Sequence, residues 1–156
     1  MKNFQNQAKI IKVSMQLRAL ARMAVALSVL GLGLYVFGGI TSLIYGRDAR
    51  ALFFAGAGTV GMTIAILISL NFFWFFTRLE NGELFDAKTV IHLQRAGQSW
   101  LAWWILNFVV AVIENEWFGT KFDFGFSQLM ASLTIIFVAW LLKEAQQLQE
   151  EQQLTV

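Results

Sequence analysis

His92 is the one histidine of the chain, and cysteine is absent. A metal site needs several converging ligands, and a haem held by His92 would need methionine as its other axial ligand. His92 is therefore read as a solvated or interfacial side chain. Nothing in the sequence supports a pH-sensing role for it. Gly56-Ala57-Gly58-Thr59-Val60-Gly61 has the G-x-G-x-x-G spacing of a dinucleotide-binding turn. Such a turn must follow a strand and open a helix. Here it lies inside an uncharged apolar run, so it is packing sequence. No serine, histidine and acid set suggests a hydrolase. Thiolate chemistry and cysteine-ligated metals are excluded outright. The expectation is a non-enzymatic protein with no catalytic residues, no cofactor and no metal.

The elements that carry these residues explain the poverty of chemistry. Uncharged stretches of 24, 27, 18 and 19 residues lie between Arg22 and Arg47, Arg50 and Arg78, Arg95 and Glu114, and Asp123 and Lys143. A helix needs roughly 20 apolar residues to cross the hydrocarbon core. Of the 156 residues, 57% are hydrophobic and 14% charged, where soluble domains carry roughly 25% charged residues. The fold class expected is all-α: one integral membrane domain over residues 1–156, a four-helix bundle. Its spans cover about 23–45, 51–77, 98–117 and 124–142. An interfacial helix is expected in the middle loop (79–97), and a polar helical tail over 143–156. The absence of proline favours continuous helices, since proline kinks are frequent where membrane helices line a cavity. Lys2, Lys9 and Lys12 precede the first stretch as in a signal peptide. The run is too long for a typical signal core, and it is read as a retained span.

Local sequence sharpens the picture. Ile10, Ile11, Val13, Met15, Leu17 and Leu20 alternate with polar and basic residues. They form either a surface helix running into the first span or a cytosolic extension of it. In the second span, Ala57, Gly61 and Ala65 form a small-xxx-small face, which lets helix backbones approach closely. Packing within the subunit is the favoured reading and a homo-oligomer contact the other. Asn71, Asn107, Thr63, Ser69, Ser132 and Thr134 are polar at depth, and hydrogen bonding between helices accounts for them. Aromatic residues before Arg78, and Trp100, Trp103 and Trp104, read as interfacial belts. In the middle loop Asn81-Gly82 marks a turn. Asp86 caps the short helix, and Gly97 ends it or turns it into the third span. No ionisable residue falls mid-span. Glu114 and Glu116 sit at the outer end of the third span, within reach of water. That argues against an ion-coupled transporter or proton channel.

Orientation follows from lysine and arginine. Lys2, Lys9, Lys12, Arg18, Arg22, Arg78, Lys88, Arg95 and Lys143 fall on one side, and Arg47, Arg50 and Lys121 on the other. The positive-inside rule places both termini and the middle loop in the cytoplasm. A net charge of +2 is too small to suggest direct nucleic-acid binding.

Two segments carry a resemblance. Asn81-Gly82-Glu83-Leu84-Phe85-Asp86 followed by Leu93-Gln94-Arg95-Ala96-Gly97, and the closing Leu148-Gln149-Glu150-Glu151-Gln152-Gln153-Leu154-Thr155-Val156, are similar to the domain-of-unknown-function 2975 family of small bacterial membrane proteins. The resemblance runs from the second span to the end. It implies four spans in a bacterial inner membrane, no established enzyme activity, and association with a small helix-turn-helix regulator. The expected function is therefore a membrane partner that sequesters or regulates a cytosolic DNA-binding protein. Gly82, Phe85, Asp86, His92, Arg95, Leu148 and Leu154 are the candidate docking residues. Two other classes stay open: an accessory subunit of a larger membrane complex, and a binder of a lipophilic molecule, such as a quinone or lipid, between the first two spans.

Overall fold

The computed structural model describes residues 2–46, 48–83, 86–119 and 125–154, without the side chains of residues 2–8, 118, 153 and 154. Four α-helices follow one another: α1 (Lys2–Ile44), α2 (Ala49–Glu80), α3 (Ala87–Phe118) and α4 (Phe126–Leu154). All four are long and apolar enough to cross a membrane. Inside lipid each backbone polar group must be satisfied within the protein, and an unbroken helix does this without partners. The polar side chains at depth obey the same rule. Thr59, Thr63, Asn71, Asn107, Ser132 and Thr134 all donate to carbonyls three or four residues earlier in their own helix. The expected hydrogen bonds between helices are thus replaced by back-bonding along each helix. One exception crosses from α2 to α3, where Asn71 Oδ1 and His92 Nδ1 lie 3.3 Å apart.

Successive helices run antiparallel, and each packs on its sequence neighbour. Among the described residues close backbone approach joins α1 to α2, α2 to α3 and α3 to α4, and none joins α1 to α4. The four-helix bundle is therefore open along one side. Its tightest apolar core joins α2, α3 and α4 through Phe75, Leu93 and Ala139, backed by Phe72, Phe76 and Ile135. It lies at the end that also carries the two termini. Large apolar side chains such as Leu27, Leu30, Leu34 and Phe37 of α1 are exposed, as befits a lipid-facing surface.

The middle loop differs from the expectation, whereas the amphipathic N-terminal segment is continuous with the first span, because α1 is one helix of 43 residues. Its register places Arg18 against Glu80, at the end of α2, with an ion pair of 2.7 Å. The turns before Ser14 therefore project past α2. The short middle-loop helix is likewise not separate. Residues 87–97 are the first turns of α3, and their apolar face is buried inside the protein at Val90, Leu93 and Ala96. Gly97 does not end this helix. A Cβ there would lie 2.8 Å from Ile136 Cγ1 and 3.1 Å from the Ile136 nitrogen, so glycine lets α4 press against α3.

The chain turns tightly at the end of α2. Gly82 has φ +80, a conformation with little steric cost only for glycine. The Gly82 N–H donates to the Leu79 carbonyl at 3.1 Å and the Glu83 N–H to the Arg78 carbonyl at 3.0 Å. This pair of bonds is the Schellman ending of a helix. The turn expected around 119–123 falls mostly outside the described residues, as do Arg47 and Lys121.

Candidate functional site: the loop and tail surface

At the termini-bearing end, Arg78 ties the last turn of α2 to the start of α3. Its Nη1 lies 2.9 Å from Glu83 Oε2 and 2.8 Å from Asp86 Oδ2. Asp86 does occupy the N-cap position of α3, but its side chain makes no capping hydrogen bond. The carboxylate is recruited by Arg78 instead. The backbone does the capping work: the Asp86 carbonyl accepts from Thr89 N–H at 2.9 Å and Val90 N–H at 3.2 Å. The Thr89 hydroxyl, fully buried, donates to the Glu83 carbonyl at 2.6 Å. Each partly exposed ion pair contributes at most about 1 kcal/mol. Together with the Schellman bonds they tie the end of α2 to the start of α3.

The remaining candidate docking residues divide. Gly82 is exposed at the tip of the turn. His92 faces α2, bonded to Asn71 and stacked on Trp74, with ring centroids 6.5 Å apart. Arg95 and Leu148 are exposed. Phe85 and the Leu154 side chain lie outside the described residues, as do Thr155 and Val156. The structure thus sets Gly82 in the turn that ends α2, ties Asp86 to Arg78, and turns His92 toward α2.

In sequence the loop and the tail read as one surface, but the shape between them comes only from the structure. The first turns of α3 and the tail part of α4 enclose a groove of ≈ 300 Å³, with Val90, Ile91 and Gln94 on one wall and Lys143, Gln146 and Glu150 on the other. The tail does not stand free there. Gly125 lies beside Trp104, so α4 starts about halfway along α3 and carries its last turns past Ala87. The sequence signal existed: Ala87, Val90, Ile91 and Gln94 repeat at helical spacing. Their partner depends on how far α4 is shifted along α3. Arg78 was read only as an interfacial anchor. Its carboxylate partners, five and eight residues on, become neighbours once the chain reverses at Gly82.

The small face of α2 is placed partly inside the chain. At Gly61 a Cβ would lie 2.9 Å from the Trp103 ring of α3. Ala57 and Gly61 line one cavity with Trp103, and Ala65 lines a second cavity nearer the termini. Among the described residues no group of His, Asp and Glu could hold a metal ion.

Comparison with known proteins gives one match. The family model described as "Protein of unknown function (DUF2975)" matches residues 48–156, which takes in α2, α3, α4 and the loop and tail just described. No curated protein and no solved structure matches the chain.

Proposed function

The chain belongs to the DUF2975 family, and from that premise we propose that it is a non-enzymatic inner-membrane protein that docks a cytosolic DNA-binding regulator. The observation that carries this reading is the groove between α3 and the α4 tail, beside the loop held by Arg78. A short apolar wall flanked by glutamines and one charge of each sign suits an amphipathic helix of a soluble partner. The lysine and arginine bias puts this end in the cytoplasm, where such a partner would be found. The mechanism is sequestration: the regulator stays at the membrane while docked and reaches its operator when released. The partner's identity as a helix-turn-helix protein rests on the family resemblance, which is analogy.

The test is crosslinking in intact cells, with the tag on the N-terminus so that the tail stays free. A photoreactive residue replaces Gln94 or Gln147. Recovery of a small DNA-binding protein from both positions is the expected outcome. Recovery of membrane-complex subunits alone would sink the reading and favour an accessory subunit. So would unchanged transcription of the partner's targets in cells lacking the chain.

A further inference from the structure

The interior of the open bundle holds cavities that share no lining residue with the space between α3 and the tail. Two cavities lie along α2 between α1 and α3, and Trp103 belongs to the wall of both. The inner one, of ≈ 650 Å³, is apolar apart from Ser69 and Gln128, with Leu20 and Ala24 facing Phe72 and Trp100. The outer one, of ≈ 530 Å³, has Tyr35, Phe54 and Trp103 around it, with Asn107 and Glu114 as its polar groups. Small residues make the room. Tyr35's ring lies where a Cβ of Gly58 would be, and the Trp103 ring covers Gly61. From Phe76 to Phe54 the floor formed by α2 runs about 33 Å.

Among the residues lining both cavities, Glu114 is the one that carries a charge. Among the described residues it has no ion-pair partner. A carboxylate at an aromatic-walled cavity favours a cation, through its charge and through the negative faces of the rings. The same preference is visible nearby, where the Arg50 guanidinium lies 5.6 Å from the Phe54 centroid. An anionic amphiphile would be repelled, and a neutral lipid would gain nothing from Glu114. The apolar cavity beyond Trp103 has room for a tail. The gap between α1 and α4 admits a ligand already dissolved in the bilayer. We propose that the groove binds a lipophilic amine or other cationic amphiphile, its charge at Glu114 and its tail between Leu20, Ala24, Ala65 and Trp100.

The test uses the purified full chain in phosphatidylcholine nanodiscs, with empty discs as the background. Tetraphenylphosphonium and tetraphenylborate have the same shape and opposite charge. The phosphonium should bind saturably above the background, and the borate should not. Glu114→Gln should weaken the phosphonium by about tenfold or more. Dodecyltriphenylphosphonium should bind more tightly than methyltriphenylphosphonium. Ala24→Leu with Ala65→Leu should remove that advantage. The phosphonium should quench tryptophan fluorescence, and Trp103→Phe should reduce the effect, so the wild-type comparison stands even if Glu114→Gln fails to assemble. Equal binding of borate, or phosphonium binding unchanged by Glu114→Gln, would overturn the proposal. A retained phospholipid that the phosphonium does not displace would also overturn it, as would a second copy of the chain crosslinked through the groove.

Discussion

At Gly97 the missing side chain is a packing requirement. Ile136 of α4, including its backbone nitrogen, stands where a Cβ would go, and backbone cannot move aside as a flexible side chain can. Gly33 of α1 has nothing within 4 Å of the same position. The two glycines therefore predict opposite results. Gly97→Val should destabilise the protein by about 1–3 kcal/mol through overpacking between α3 and α4. Gly33→Ala should stay within about 0.5 kcal/mol of wild type. Thermal unfolding in detergent, followed by tryptophan fluorescence, checks both. A Gly97→Val protein as stable as wild type would mean that α4 does not lie on α3 as described. Sequence alone read Gly97 as ending a short helix or turning it into the third span, because glycine commonly stops helices. Only the approach of α4 distinguishes a stop from a close contact. Gly82 was legible, since Asn-Gly between two long helical patterns has turning as its main use.

Among the elements, α1 is the most informative. Its register on α2, set by Arg18 against Glu80 and Gly39 against Ala55, leaves the turns before Ser14 beyond the end of α2. A helix rises about 1.5 Å per residue, so the segment from Lys2 to Val13 projects by roughly 18 Å. Single cysteines at Lys9 and Lys12 should react with a membrane-impermeant maleimide from the terminal side of the membrane, while cysteines at Leu27 and Leu34 should not. Protection of Lys9 and Ile10 in alternation with their neighbours would instead show a helix lying flat on the bilayer. The sequence left these alternatives balanced because an amphipathic stripe is compatible with both. The beginning of α3 was harder still. Its apolar residues Val90 and Leu93 were expected to rest on lipid, and they rest on α2 and α4. Periodicity shows that a helix has an apolar face, and it does not say what covers that face.

For the whole molecule, the open side between α1 and α4 is the property with consequences. Pairs of spin labels at Leu27 and Leu133, both exposed, should give a broad distance distribution in the free protein. Labels at Leu67 and Val109, on the directly packed α2 and α3, should give a narrow one. Loading with the dodecyl phosphonium should narrow the α1–α4 distribution, because a ligand that binds one width of the groove selects that width. A narrow α1–α4 distribution without ligand would show that the bundle is closed in the bilayer.

Composition and periodicity by themselves determined the membrane, the number of spans and their order. Each of these depends on local transfer of apolar residues from water to lipid, which is a property of a stretch and not of its neighbours. The tertiary structure decided the rest. It set the shift of α4 along α3 that forms the groove beside Val90 and Gln94. It gathered Glu83 and Asp86 around Arg78. It left α1 and α4 apart, so that Glu114 sits at the end of an aromatic cavity. These depend on which faces of separate helices meet, and in lipid that choice rests on close packing and a few polar contacts. A one-dimensional pattern of apolar residues records neither.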